Sequence, residues 1–305
     1  MAISTVRVQI NGTWTNLTYN SSTGAYEATI TAPSTTSFTK TGGYYAVTVE
    51  AKNTVGTTTT VNDSHSSLGA SCKLYVQERV APVATISSPT SGARVTNNKQ
   101  PIVFTITDET GGSGIDPNSI IVMLDDREQD VFGIERTAIT NGYRCTFIPG
   151  TALADGDHRF SVQISDFDGN TSNRAEIVFT VDTVAPTLNI TSPAEGSASS
   201  STSVTVAGTT NDATSSPVTV TMALDSGAAQ AVTVGSNGSF TKTFSGLAHG
   251  AHKVTIVATD AAGKSTSITR NFTVDTSAPT ISKITITPNP VDAGSTMKIS
   301  VVVTG

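Results

Sequence analysis

Charge and aromatic side chains are both scarce in this 305-residue chain: Asp, Glu, Lys and Arg make up 14% of it and Phe, Trp and Tyr 6%. The 18 basic residues are outnumbered by 24 acidic ones, for a net charge of −6, and they are not clustered. Phosphate neutralisation needs clustered Lys and Arg, so nucleic acid is not expected as a partner. No run of 18 apolar residues occurs, which excludes a membrane-spanning helix and predicts no membrane insertion. The start, Met1-Ala2-Ile3-Ser4-Thr5-Val6-Arg7, lacks a basic stretch followed by an apolar one, so no signal peptide is read and synthesis without export is expected. Only two cysteines are present, Cys72 and Cys145. A secreted disulfide scaffold would carry a dense, even set, so two unpaired thiols are expected. Sparse charge does not signal disorder here, because disorder needs low hydrophobicity and high net charge together. The chain is 37% hydrophobic, with Val, Ile and Leu recurring at strand spacing.

What the sequence does contain is repetition, the first feature to seek in any chain. One phrase occurs three times: Ala81-Pro82-Val83-Ala84-Thr85-Ile86-Ser87-Ser88-Pro89, Ala185-Pro186-Thr187-Leu188-Asn189-Ile190-Thr191-Ser192-Pro193, and Ala278-Pro279-Thr280-Ile281. Proline at the start of a strand removes no ladder bond and stiffens the junction. These phrases divide the chain into modules at 1–80, 81–184 and 185–277 and a tail at 278–305. Within the modules, apolar residues alternate with polar ones, as in Ile102-Val103-Phe104-Thr105-Ile106 and Val254-Thr255-Ile256-Val257. Period two is the signature of half-buried strands. Turn pairs such as Asn141-Gly142, Asn237-Gly238 and Asp168-Gly169 punctuate them. About seven short strands per roughly 100 residues, with no helical period, predict an all-β chain of tandem immunoglobulin-like sandwiches.

The two ends of the chain depart from this pattern in opposite ways. Ser22–Ile30 aligns with Ser236–Phe244, Tyr45–Ala51 with Lys253–Thr259, and Val6–Gly12 with Val220–Ser226, the third strand of its module. The first module is therefore predicted to lack its first two strands. The tail matches only those two, as Ile284–Thr287 and Lys298–Val303. An open sandwich exposes apolar surface and strand edges, and a lone hairpin is marginal by itself. One resolution is strand addition between copies or to an unlike partner, with Val6, Val8, Trp14, Ile284, Ile286, Ile299, Val301 and Val303 as expected interface residues. The alternatives are a truncated fourth module, or substitute strands drawn from the longer Asn53–Pro82 segment.

The joint Val-Asp-Thr-x-Ala-Pro-Thr, at 181–187 and 274–280, resembles the junction between bacterial immunoglobulin-like repeats. Such repeats build adhesin stalks and phage appendages. The opening, with Trp14-Thr15-Asn16-Leu17-Thr18-Tyr19 and Ser22–Pro33, resembles immunoglobulin-like modules in tail or baseplate proteins of phages infecting Gram-positive bacteria. The resemblance implies a virion structural protein, made in the host cytoplasm, whose partners are other virion proteins or copies of itself. It leaves two alternatives: a module holding host-surface glycan, or a piece of an adhesin on the bacterial surface.

The residues give no chemistry to set against this. No nucleophile elbow, phosphate loop or zinc-protease motif occurs, so no enzyme and no cofactor is expected. His158 and His252 stand at equivalent positions, eight residues before Asp166 and Asp260, which marks them as repeat scaffolding. His249-Gly250-Ala251-His252 has no fixed carboxylate or thiol beside it to complete a metal site. The resemblance adds calcium, which adhesin repeats of this kind can hold at their joints. Asp166, Asp168, Asn170, Asp182 and Asp275 are the candidate oxygen ligands. The plainer reading is that these Asp and Asn side chains form the turns, and the first joint, Gln77-Glu78-Arg79-Val80, lacks the Asp.

Overall fold

The computed structural model describes residues 2–305. Among the described residues the regular elements are strands, apart from one 3-10 turn at Gly69–Cys72. By contact density it separates into two compact bodies. One comprises residues up to Ala93, Lys99–Leu153 and Asp157–Thr180, and the other Arg94–Asn98, Ala154–Gly156 and Val181–Gly305.

The first module contributes β1 (Ile3–Ile10), β2 (Thr13–Asn20), β3 (Ala25–Glu27), β4 (Tyr45–Asn53), β5 (Thr58–Val61) and β6 (Lys73–Leu74). They form one sheet in the order β3-β2-β1-β4-β5, with β6 on β4. Asn11 and Gly12, both at positive φ, close the β1–β2 hairpin. Val6 pairs with Ala51 and Val8 with Val49, so Val6, Val8, Ile10, Val47, Val49 and Ala51 share one face. In the third module Val220 pairs with Ala258 and Met222 with Ile256. The true equivalents of Val254, Ile256 and Ala258 are therefore Val47, Val49 and Ala51, one residue away from the alignment expected above. A one-residue slip exchanges the two faces of a strand, and only the pairing partner settles which is correct.

The second module contributes β7 (Val83–Ser88), β8 (Arg94–Val95), β9 (Ile102–Thr107), β10 (Ile121–Leu124), β11 (Arg127–Glu128), β12 (Glu135–Ile139), β13 (Gly142–Phe147), β14 (Gly156–Gln163) and β15 (Ala175–Val181). The order β12-β13-β9-β7 makes one sheet and β11-β10-β14-β15 lies in the other. The core holds Ile102, Phe104, Ile106, Phe160, Val162 and Phe179, none of which reaches solvent. Burial of each such side chain stabilises by roughly 1.5–3 kcal/mol. Cys145 is buried and unpaired beside them, and burial pushes its thiol up to about 11. At Gly142 a Cβ would lie 1.9 Å from the Ile106 carbonyl oxygen, so no other residue fits that crossing.

The third module contributes β16 (Thr187–Ser192), β17 (Ser197–Ser199), β18 (Ser203–Asn211), β19 (Thr219–Leu224), β20 (Gln230–Val232), β21 (Ser239–Ser245), β22 (Gly250–Thr259) and β23 (Ser265–Val274). Its sheets run β16-β18-β21 and β17-β23-β22-β19-β20, around a core that includes Val206, Met222, Phe240, Ile256 and Phe272. A separate two-stranded sheet follows, β24 (Thr280–Thr287) against β25 (Lys298–Thr304). The chain is all-β, with tandem immunoglobulin-like sandwiches as its main units.

Candidate functional site

Carboxylates gather at the head of each complete sandwich, where the incoming segment meets two loops. At the third module Asp182, Asp212 and Asp260 each offer an oxygen within 4.8 Å of the others. Asp182 lies in the incoming segment, Asp212 follows β18 and Asp260 follows β22. All three are buried, at 0%, 8% and 6% exposure. Each spends one oxygen on its own turn. Asp182 Oδ1 accepts from the Val184 amide, Asp212 Oδ1 from those of Thr214 and Ser215, and Asp260 Oδ1 from those of Ala262 and Lys264. The opposite oxygens Asp182 Oδ2 and Asp260 Oδ2 have no partner, and neither has the buried Ser215 hydroxyl. Among the described residues no salt bridge reaches any of the three carboxylates. Like charges this close repel by roughly 3–4 kcal/mol per pair at an effective dielectric near 20.

Glu78, Asp108 and Glu109 gather in the same way at the head of the second module. The equivalence is set by register: β7 pairs Val83 with Thr107 and β16 pairs Thr187 with Asn211, so Asp108 corresponds to Asp212 and Glu78 to Asp182. Glu78 thus fills the place where an Asp was expected and not found. Here Glu78 and Asp108 take partners from the Ser113–Gly114 loop, while Asp108 Oδ1 and Glu109 Oε2 have none. Glu78 Oε1 accepts from the Ser113 amide and hydroxyl, each at 3.1 Å, and Asp108 Oδ2 from the Gly114 amide at 2.7 Å. Burial pushes the Glu109 carboxyl up to about 7, reinforced by its hydrogen bond to Glu78 and by the Asp108 charge. Burial also raises Glu78, but hydrogen bonds from Glu109, Ser113 and Val80 outweigh it and hold that carboxylate below its ordinary value. Gly112 leaves the space, since a Cβ there would lie 2.5 Å from Asp108 Oδ2 and 2.8 Å from Glu109 Oε1.

The structure separates the five residues proposed from sequence. Asp182 alone lies in a cluster. Asp166 corresponds to Asp260, but both its oxygens accept from Asn170, through the backbone amide and the side-chain amide. Asp168 Oδ2 latches the first module to the second, accepting from the Thr36 hydroxyl at 2.6 Å and the Glu78 amide at 3.0 Å. Asn170 Nδ2 also donates to the Glu78 carbonyl, and Phe38 stacks on Phe167 with centroids 4.6 Å apart. Asp275 is exposed and accepts from the Ser277 hydroxyl and amide. Asp108, Glu109 and Asp212 were missed. One signal was legible, because an acid stands thirty residues after Glu78 and again thirty after Asp182.

The other singled-out residues also have definite places. His158 bonds to Asp125 at 2.7 Å and His252 to Asp225 at 2.9 Å, the same pairing in both sandwiches. Trp14 lies on the face of the first sheet opposite Val6 and Val8, 37% exposed, with the Arg7 guanidinium 4.2 Å above its ring. Ile284, Ile286, Ile299, Val301 and Val303 are all exposed on the C-terminal hairpin.

Comparison with known proteins follows this modular pattern. Residues 81–183 match the family model described as a bacterial Ig-like domain, and residues 186–276 match that of glucodextranase, domain B. No curated protein matches the chain. Among solved structures, the fibronectin(III)-like modules of Clostridium thermocellum CbhA are similar at 18% identity, over 63% of this chain and 94% of that one, with a TM-score of 0.36. The tetra-tandem repeat in the extending region of a large adhesion protein is similar at 17% identity, over 99% and 80%, with a TM-score of 0.33.

Proposed function

We propose that this chain is a non-enzymatic structural array, a run of immunoglobulin-like modules that assembles into or decorates a phage tail, baseplate or fibre. The tandem sandwiches support the structural role, and the phage setting rests on the resemblance carried by residues 14–33 and by the joint phrases. The observation that carries the mechanical part is the acidic cluster that recurs at the head of each complete sandwich. Asp182, Asp212 and Asp260, with Ser215 beside them, fit a hard divalent cation such as calcium, because their oxygens converge and Asp182 Oδ2, Asp260 Oδ2 and the Ser215 hydroxyl are buried with no other partner. Such an ion would neutralise the cluster and tie the segment carrying Asp182 to two loops of the third module.

Immunogold labelling of phage particles and uninfected cells, with antibody against residues 81–277, tests the setting. Labelled virions are expected. Labelling of the uninfected cell surface would replace this reading with that of an adhesin. Calcium titration of the purified chain, followed by thermal unfolding, tests the cluster: the third module is expected to melt at higher temperature, and Asp182→Asn to abolish the rise.

A further inference from the structure

The loop that follows β9 is longer in the second module than its counterpart in the third. Leu124 pairs with Phe160, two residues after His158, and Leu224 with Val254, two residues after His252, so Leu124 and Leu224 are equivalent. Leu124 stands sixteen positions after Asp108, and Leu224 only twelve after Asp212. The longer loop carries Gly111-Gly112-Ser113-Gly114, and Glu109 stands where the third module has Ala213. Backbone bonds pin this loop. The Gly114 amide donates to Asp108 Oδ2 at 2.7 Å, the Phe167 amide to the Gly114 carbonyl at 3.0 Å and the Asp168 amide to the Ser113 hydroxyl at 3.0 Å.

A cavity of about 400 Å³ opens beside the loop, a size typical of small-molecule sites. Asp108 and Glu109 line it together with Ile115, Ile139, Tyr143 and Phe167, and no Lys or Arg does. Asp108 is only 7% exposed, yet its Oδ1 has no partner, and neither has Glu109 Oε2. Among the described residues no salt bridge reaches Glu78, Asp108 or Glu109. Unpartnered buried carboxylate oxygens are destabilising and neighbouring negative charges repel, so a cation arriving here gains on both counts. Calcium takes about six to eight oxygen ligands. Here Glu78 Oε1 and Asp108 Oδ2 are committed to Ser113 and Gly114, which leaves Asp108 Oδ1 and Glu109 Oε2. An ammonium group has three donors and no acceptor, and a hydrocarbon stem behind it suits apolar and aromatic walls. Burial pushes the Glu109 carboxyl up to about 7, so its proton is readily given up near neutral pH to an incoming cation.

We propose that this cavity of the second module binds a primary alkylammonium group, its nitrogen on the unpartnered oxygens of Asp108 and Glu109 and its stem against Ile139, Tyr143 and Phe167. The site is particular to the second module, because Ala213 takes the place of Glu109 in the third. It is independent of the phage setting and of the ion at Asp182, Asp212 and Asp260. A lysine side chain of another protein carries such a group, and so does a free small amine.

The test is titration of the full chain with pentylamine, with a lysine blocked at both its backbone ends, and with uncharged pentanol, read by calorimetry and by the NMR amide signals of Gly111–Gly114. Both amines are expected to bind with Kd of about 1 mM or tighter and to shift those signals, and pentanol to bind at least about tenfold more weakly. Tighter binding of the blocked lysine assigns the group to a protein partner, and tighter binding of pentylamine assigns it to a free amine. Asp108→Asn/Glu109→Gln should weaken amine binding by about tenfold or more. Ala138→Trp crowds the cavity from the exposed strand β12 and leaves both acids in place, so it should weaken binding too and decides the matter if the acid variant does not fold. Failure of both amines to bind overturns the proposal, as does pentanol binding as tightly, or wild-type affinity in the folded variants. Calcium shifting Gly111–Gly114 where the amines do not would overturn it in favour of a metal site.

Discussion

The acidic clusters at the heads of the second and third modules occupy the same repeat position, each keeps two unpartnered carboxylate oxygens, and they differ in what surrounds them. At the second module Ser113 donates to Glu78 and Gly114 to Asp108, and the Glu109 carboxyl is raised to about 7, while Asp108 Oδ1 and Glu109 Oε2 keep no partner; beside that cluster Asn170 caps both oxygens of Asp166, the counterpart of Asp260. At the third module Lys264 stands where Asn170 would be. Its backbone amide makes the same bond to Asp260 Oδ1, but no side-chain amide reaches Oδ2. The difference comes down largely to one side chain. An amide at this position satisfies both oxygens of the Asp, and its absence leaves Asp260 Oδ2 without a partner.

Calcium removal should have the largest effect. With the ion about a hundredfold above its Kd, binding stabilises the third module by about 3 kcal/mol, a shift of roughly 10 °C or more in calorimetry. The second module should not move. Asp260→Asn reverses sign with conditions: in chelator it raises the melting temperature by relieving buried repulsion, by roughly 1–3 kcal/mol, and in calcium it lowers it relative to wild type.

Exchanging the deciding side chain should exchange the behaviours. Lys264→Asn is expected to remove most of the calcium response, measured by titration calorimetry. Asn170→Lys leaves Asp166 Oδ2 unpartnered and should cost roughly 1–3 kcal/mol in chelator, read from denaturant unfolding. Phe38→Ala removes the ring stacked on Phe167, a loss of about 1 kcal/mol beyond lost contact area. Limited proteolysis should then cut faster near Gln77–Val80, with the third module unaffected.

The smallest effect lies outside both clusters. The Ala248 carbonyl and the Asp225 carboxylate raise the His252 pKa above 6.5. The backbone amide of Lys253, aided by His252, holds Asp225 below its ordinary value. The imidazolium contribution is complete below pH 6.5 and disappears as pH rises through the raised value. The carboxylate contribution is complete above the ordinary Asp value and disappears as pH falls. The third module should therefore lose a fraction of a kcal/mol between pH 6 and 8, and His252→Gln should flatten that slope in pH-dependent melting.

The strands were legible because period-two alternation and Asn-Gly turns are local signals, as in Ile102–Ile106 and Asn141-Gly142. The modular division was legible because its phrase repeats. Which acids converge was not, because Asp108 and Asp212 sit in loops of unrelated sequence and meet their partners only through sheet topology. Asp166, Asp168 and Asn170 looked like ligands because hard-oxygen residues serve both metals and turns, and here they form turns and a latch. The face of β4 was misassigned for the same kind of reason. Tyr45–Ala51 carries small and β-branched residues on both parities, and its pairing with β1 alone fixes which side is inner.

Trp14 is the only tryptophan in the chain, and Arg7 covers its ring on the outer face of the first sheet. Fluorescence excited at the red edge of protein absorption therefore reports on one module in a chain of three. The first module can be followed through unfolding without a label, while calorimetry or circular dichroism follows the rest.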